Sequence, residues 1–138
     1  MQYRLPALRL TTTLALLAGG CSMFNTTPTQ AASLLEPANG ASVTSPFKVR
    51  FGIQGMAVAP AGDVVAGSGH HHLLINQEAV PSGTVVPFTS QHLHFGKGQT
   101  EADVTLPAGT CKLTAQFANG AHQSCGPAMS QTITMTVK

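Results

Sequence analysis

Apolar and polar residues alternate along several short segments of this chain. The clearest is residues 47–53, where Phe47, Val49, Phe51 and Ile53 share one parity and the residues between them are charged or small. This period of two predicts a strand with one buried face. The same alternation recurs at residues 102–106, 111–117 and 129–137. We therefore expect several short strands, each with one side against a core.

Residues 70–76 follow a different pattern, because Leu73, Leu74 and Ile75 are apolar at both parities. A strand that is apolar on both sides is predicted to lie in the middle of a sheet. Glycine- and proline-containing turns separate the segments, and no helical periodicity follows residue 20. The pattern predicts an all-β protein, an immunoglobulin-like β-sandwich of about seven short antiparallel strands.

Composition agrees with one small β domain. The chain has 138 residues, of which 43% are hydrophobic and 9% are charged, which is too apolar for a disordered chain. The net charge is +2 and no run of basic residues occurs, so we expect no nucleic-acid partner. The five acidic residues also limit any mechanism that needs paired carboxylates.

The N-terminus has the features of an export signal. Arg4 and Arg9 precede and border a short apolar segment at residues 10–18, which is too short to span a membrane. Leu17-Ala18-Gly19-Gly20-Cys21 resembles a bacterial lipobox, with Cys21 as the lipidated residue. The alternative is cleavage near Ala31. We favour the lipobox, because Cys21 directly follows the apolar segment.

These features divide the chain into a lipoprotein-type signal peptide at residues 1–20, a polar tether at 21–32 and a β-sandwich domain at 33–138. A lipid on Cys21 would attach the domain to a membrane. Ser22 after the cysteine is typical of lipoproteins on the periplasmic face of the outer membrane. Cleavage near Ala31 would instead give a soluble periplasmic or secreted domain. Nothing in the sequence points to a particular protein partner.

The two other cysteines are Cys111 and Cys125. Exported domains meet an oxidising compartment, so we expect these two to form a disulfide. The closed loop has about 15 residues, which corresponds to roughly 3 kcal/mol in the chain-entropy model. A pair of metal-binding thiolates is the alternative, but the spacing is not that of a zinc knuckle.

Five of the six histidines occupy two strand-like segments. Residues two apart in a strand share a face, so His70 and His72 point one way and His71 points the other way, with Leu73. If the two segments are neighbouring strands, four imidazoles meet in one cluster. The predicted metal ligands are His70, His72, His92 and His94, with His71 and His122 as possible additions.

An all-imidazole site suits copper, zinc or nickel better than calcium or magnesium. We therefore predict a copper- or zinc-binding module.

One alternative is a structural or protein-interaction module of the cell envelope, with a metal-free histidine network; another is a pocket for a non-metal ligand. A copper/zinc dismutase-like enzyme is a further alternative, but neither Asp63 nor Arg50 is obviously placed for it, and we expect no enzyme. Met56 and Met129 are potential soft ligands, although methionine more often fills a core.

Residues 35–138 resemble a family of small exported bacterial domains known as domain of unknown function 4399. The motifs that carry the resemblance are Ser45-Pro46-Phe47-x-Val49-x-Phe51, Gly55-Met56, Val58-x-Pro60-Ala61-Gly62, Gly69-His70-His71-His72-Leu73-Leu74-Ile75, His92-x-His94-Phe95-Gly96-Lys97-Gly98-Gln99-Thr100, Leu106-Pro107-x-Gly109 and Met129-Ser130. The resemblance implies an exported β-rich domain without an established activity. Asn76 stands where the resemblance leads us to expect an acidic residue.

Overall fold

The structure is a computed structural model that describes residues 29–138. Within this range it contains nine strands and one short 3-10 helix. They are β1 (Ala31–Glu36), β2 (Ser42–Val43), β3 (Phe47–Gln54), β4 (Ala57–Val58), β5 (Ser68–Ile75), β6 (His92–Phe95), β7 (Glu101–Val104), β8 (Gly109–Ala118), the 3-10 helix Pro127–Met129 and β9 (Ser130–Val137). Among the described residues, no helix is long and apolar enough to cross a membrane.

The strands form two sheets. One has three antiparallel strands in the order β1-β3-β7, and the other has six, with β2-β9-β8-β5 side by side. The free edge of β5 pairs with β4 near its start and with β6 further along. The predicted all-β sandwich is confirmed, but with nine strands rather than about seven. The two-residue strands β2 and β4 pair in parallel with β9 and β5, and they are too short for an alternating pattern to reveal them.

The main core lies between the two sheets, and the alternation in β3 creates its near side. Phe47, Val49 and Phe51 are buried, while Lys48 and Arg50 point outwards. The six-stranded sheet supplies the opposite side through Leu73, Ile75, Leu113, Ala115, Ile133 and Met135. The predicted half-buried strand at residues 47–53 is therefore confirmed.

Strand β5 is central, as its apolar character on both parities predicts. It lies between β8 and β6, and its last seven residues are buried. One face looks into the main core. The other face is covered by the segment at residues 77–90, where Val80 and Val86 pack with Leu74 and Ala118 in a second apolar cluster.

Gln116 on β8 fastens this covering segment to the sheet. Its buried side-chain oxygen accepts a hydrogen bond from the Val80 N–H at 3.0 Å, and its Nε2 donates to the Gly126 carbonyl at 3.1 Å. The Ser124 hydroxyl donates to the Val80 carbonyl at 2.8 Å. Gln116 and Ser124 thus hold the backbone around Val80 against the sheet. The apolar cluster around Leu74 is therefore a second buried layer, on the outer face of β5.

The predicted disulfide is wrong, because Cys111 and Cys125 are both free. Cys111 lies near the start of β8, whereas the Cys125 N–H donates to the Phe117 carbonyl at 3.0 Å, near the end of that strand. Six residues of a strand span about 20 Å, and a disulfide needs Cα atoms within about 7 Å. Burial raises the pKa of both thiols.

Cys21, the expected signal peptide and most of the expected tether lie outside the described residues. Strand β1 begins at Ala31, which pairs with Gln54, two residues before the expected start of the domain. Ala32 is buried and packs in a small cluster with Phe117 and Met129. The last two residues of the expected tether are therefore part of the sheet.

Candidate metal centre

Four histidines meet on the outer face of the six-stranded sheet. His70 and His72 come from β5, His94 comes from β6, and His122 comes from the loop after β8. One ring nitrogen of each lies within 4.8 Å of the corresponding nitrogens of the other three. His70 and His72 are fully buried, and His94 and His122 lie on the more accessible side. We call these residues the four-histidine cluster.

The pairing of β5 with β6 brings the first three together. His72 is directly opposite His94, and the His94 ring lies 5.0 Å from that of His72 and 4.9 Å from that of His70. The condition for a cluster is therefore met, because the two histidine-bearing segments are neighbouring strands. His71 faces the other way, as the alternation predicts.

His92 does not join the cluster, which corrects one of the four expected ligands. The register sets it opposite Leu74, two residues further along β5 than the partner of His94. Its Nδ1 instead makes a 2.7 Å hydrogen bond with the hydroxyl of Thr89. His92 and His94 do share a face, but only His94 is level with the histidines of β5.

His122, and not His92, is the fourth member of the cluster. Its loop is a tight turn in which the Asn119 side-chain oxygen accepts hydrogen bonds from the N–H groups of Ala121 and Gln123, both at 3.0 Å. The Val86 N–H donates to the His122 carbonyl at 2.9 Å, which holds the turn over the sheet. The sequence places His122 outside the two strand-like segments, but it does not say where the loop with His122 packs.

His122 also has a left-handed backbone conformation, with a φ of 63°. For a residue with a side chain this conformation costs on the order of 1–3 kcal/mol, and such strain is concentrated at functional sites. It directs Nδ1 of His122 to 3.2 Å from Nε2 of His70. Two non-glycine residues have this conformation among residues 29–138, Asn76 and His122, and the second is a member of the cluster.

His71 is separated from the cluster by the sheet itself. Its ring stacks on Phe51 at a centroid distance of 4.7 Å and meets the Phe117 ring edge-on at 5.0 Å. Neither ring nitrogen has a hydrogen-bond partner among the described residues. Burial lowers the pKa of His71 to about 4. His71 is a core residue and not a ligand of the outer site.

The contacts at Nε2 of His70 are difficult to satisfy with imidazoles alone. This atom lies 3.0 Å from Nε2 of His72 and 3.2 Å from Nδ1 of His122. A ring nitrogen offers either one N–H or one lone pair. It can therefore make one well-directed hydrogen bond, and the second close contact remains poorly satisfied. A cation between the nitrogens would make all of these contacts favourable.

The two buried rings of the cluster, His70 and His72, are neutral at physiological pH. Burial is the main cause that lowers the pKa of His72 to about 3 and that of His70 to about 4, and the neighbouring histidines add repulsion. Burial and then repulsion from His122 lower the pKa of His94 as well. Unprotonated rings have a lone pair for a metal ion.

Gly96 makes room for the His94 ring. A Cβ at this position would collide with that ring, so the His-x-His-Phe-Gly motif needs its glycine. The Gly96 carbonyl accepts a hydrogen bond from the Ala61 N–H at 2.8 Å, and the Gly62 N–H donates to the Gly120 carbonyl at 2.9 Å. The Pro60-Ala61-Gly62 motif thus joins the end of β6 to the His122 loop.

Phe88 is a member of the site that sequence reasoning missed. Its ring meets His94 and His122 edge-on, at centroid distances of 5.5 and 5.0 Å. It is nevertheless 62% exposed, which is unusual for a phenylalanine. A single aromatic residue in an irregular loop carries no periodic signal, so only the structure could reveal this contact.

No carboxylate belongs to the histidine cluster within residues 29–138. Glu36 and Glu101 form ion pairs with Arg50 on the three-stranded sheet, at 3.3 and 3.8 Å. Glu78 pairs with Lys112 at the surface. The possible ligands among the described residues are therefore four imidazoles.

The fold is a small β-sandwich, and the site is a histidine cluster on the outer face of its larger sheet. Residues 49–138 match the family described as a domain of unknown function (DUF4399), and the chain belongs to that family. No curated protein matches the chain. No solved structure matches it either.

Proposed function

We propose that this domain binds a transition-metal ion, copper or zinc, through His70, His72, His94 and His122. The observation that carries the proposal is the convergence of four ring nitrogens within 4.8 Å of one another, on a site without a carboxylate. Neutral imidazole is the commonest metal-ligand side chain, and a purely nitrogen donor set suits these metals.

The spacing of the nitrogens supports this proposal. Zinc–nitrogen bonds of about 2.0–2.1 Å in a tetrahedron place the ligand atoms about 3.3 Å apart. The contacts at His70 are 3.0 and 3.2 Å, so the two buried rings and His122 need only small shifts to enclose an ion. The low pKa values of His70 and His72 mean that binding there displaces no proton at pH 7.

The second candidate is a structural or interaction module of the envelope that uses the same histidines as a metal-free network. The 3.0 Å contact between His70 and His72 is of hydrogen-bond length and favours it. An enzyme of the copper/zinc dismutase type has less support. Arg50 is ion-paired with Glu36 on the other sheet, and Asp63 is not a member of the cluster.

Calorimetric titration of the metal-free protein, after removal of the signal peptide, tests the proposal. We expect saturable binding of one Cu(II) or Zn(II) ion. The His94→Ala and His122→Asn variants should bind at least about 100-fold more weakly, since loss of a supporting residue alone typically costs 10–100-fold. Asparagine is chosen at position 122 because it tolerates the left-handed conformation.

His92→Ala is the matched control for this titration, because His92 is on the same strand and face as His94 but outside the cluster. Its affinity should remain close to that of the wild type. Saturable binding that is equally weakened by loss of His92 would refute the assignment of ligands. Absence of saturable binding would favour the metal-free network.

We also propose that the domain is anchored to a membrane through a lipid on Cys21, on the periplasmic face of the outer membrane. The start of β1 supports this over cleavage near Ala31. A cut after Ala31 or Ala32 would fall inside a strand whose residue Ala32 is 4% exposed. Cleavage before Cys21 leaves that strand whole.

Replacement of Cys21 by serine should remove the anchor. The test expresses the full-length proteins in a bacterium with two membranes. The wild type should sediment with membranes and enter the detergent phase, because acyl chains give stable attachment. The mature form of the Cys21→Ser variant should be absent from the membrane fraction. A Cys125→Ser variant serves as the control, and equal membrane association of all three proteins would contradict the proposal.

A further inference from the structure

The four-histidine cluster has one open side. His70 and His72 are fully buried, and the sheet lies beneath them with His71 and Phe117 on its opposite face. His94 and His122 are more accessible than the two buried ligands, so solvent can approach the cluster past them. The ring of Phe88 stands against both of these histidines.

The loop holds Phe88 in place from both directions. Before it, Val86 is fully buried in the second apolar cluster, and its N–H donates to the His122 carbonyl at 2.9 Å. After it, Thr89 is hydrogen-bonded to His92 on β6 at 2.7 Å. Pro87, directly before Phe88, restricts the backbone further. The exposed ring is thus fixed over the cluster, although no core buries it.

We infer that Phe88 closes the open side of the metal site, so that the ion is held by four imidazoles and takes no additional ligand from solvent. This inference rests on the proposed metal-binding function. An apolar ring offers no donor atom, and its position against His94 and His122 occupies the direction from which water or an anion would reach the ion. Phe88 therefore decides what else the ion can bind.

A closed site has a consequence for the chemistry of the domain. Catalytic metal sites keep one position for water or substrate, whereas sites with four protein ligands and no open position hold the ion without reacting at it. Closure by Phe88 makes this a site for holding or transferring a metal ion. It also separates the domain from dismutase-like enzymes, in which a small anion must reach the metal.

Azide binding to the copper-loaded protein tests the closure. Azide that coordinates Cu(II) gives a charge-transfer absorption band that neither component has alone. The wild type and Phe88→Tyr should develop no such band, whereas Phe88→Ala should develop it in a saturable manner. Val85→Ala is the matched control, because Val85 is on the same loop and is 52% exposed but has no aromatic ring against the cluster. An equal azide band in the wild type and Phe88→Ala would overturn the inference.

A second measurement needs no metal. Diethyl pyrocarbonate acylates accessible unprotonated imidazoles, and mass spectrometry of peptides gives the rate at each histidine. In the metal-free protein, Phe88→Ala should raise the rates at His94 and His122 at least threefold, with His92 as an unchanged internal control. Unchanged rates at His94 and His122 would overturn the closure.

The two measurements separate the inference from the proposed function. If the wild type binds neither copper nor zinc, the proposed function fails, and the acylation rates alone show whether Phe88 covers His94 and His122. If copper binds and azide reaches it in the wild type, metal binding stands and the closed site is refuted. Thermal unfolding of metal-free Phe88→Ala checks that the fold is retained, which is expected because the removed ring is mostly exposed.

Discussion

Replacing His71 with phenylalanine should stabilise the domain, and the gain should be larger in acid than at neutral pH. His71 is fully buried between Phe51 and Phe117, without a hydrogen-bond partner for either ring nitrogen. A buried unsatisfied polar group costs about 1–3 kcal/mol. A phenylalanine ring removes that cost and keeps the stacking, although its larger size offsets part of the gain.

The pH dependence follows from the pKa of His71. Burial lowers it from 6.5 to about 4, so as the pH falls below 6.5 the unfolded chain takes up a proton that the folded protein does not. The free energy of unfolding of the wild type therefore decreases from pH 6.5 down to about pH 4. A shift of this size corresponds to about 3 kcal/mol at one site. His71→Phe removes this loss.

Urea unfolding of metal-free protein at pH 7 and at pH 4 measures the effect. The difference in unfolding free energy between His71→Phe and the wild type should grow by about 3 kcal/mol between the two pH values. Leu73→Met is the control, because it changes a buried residue on the same face without adding or removing a titratable group. A difference for His71→Phe that is the same at both pH values would show that His71 does not stay neutral in the folded domain.

Metal binding should raise the melting temperature of the wild type by about 10–20 °C, and the Gly96→Ala variant should lose most of this increase. An ion at 100 times its dissociation constant stabilises the folded state by about 2.7 kcal/mol. For a domain of this size, each kcal/mol raises the melting temperature by about 4–8 °C. Gly96→Ala leaves all six histidines in place but displaces the His94 ring from the cluster, because the new Cβ occupies its space.

Calorimetric or fluorescence melts with Cu(II), with Zn(II) and with chelator provide the measurement. The metal-free melting temperatures of the wild type and Gly96→Ala should be similar, since Gly96 lacks a left-handed φ and the ring it displaces can turn towards solvent. His92→Ala should keep the full metal-dependent increase. The geometry of the cluster would be contradicted by an equal increase in the wild type and Gly96→Ala.

Together these variants separate the two faces of β5. His71 acts on stability through the main core and should change the response to acid without changing metal affinity. Gly96, His94 and His122 act on the outer face and should change metal affinity with little effect on the metal-free fold. A result in which His71→Phe abolished metal binding would mean that the faces are coupled through the sheet.

The alternating pattern determined much of the fold because the strand period is local. It assigned β3 a buried face, it made β5 a central strand, and it separated His71 from the pair His70 and His72. It also placed His92 and His94 on one face of their own segment, as the register of β6 shows. Each of these statements depends on residues close together in the chain.

The composition of the site depended on contacts between distant residues. The register that sets His72 opposite His94 leaves His92 level with Leu74, and a shift of two residues would have reversed the outcome. His122 reaches the cluster because its loop is hydrogen-bonded to Val86, some 36 positions earlier in the chain. No local pattern encodes either result.

The cysteines and Phe88 illustrate the same limit. Expected export to an oxidising compartment suggested a disulfide, but a ten-residue strand carries Cys111 away from the end to which Cys125 returns. Phe88 lies in an irregular loop, and its contact with His94 and His122 exists only because both flanks of the loop are fixed. The sequence by itself determined several of the strands and set His71 on the face opposite to His70 and His72, because side-chain direction alternates residue by residue. Only the tertiary structure decided which four histidines meet and what covers them, because strand register and loop packing are set by the whole fold.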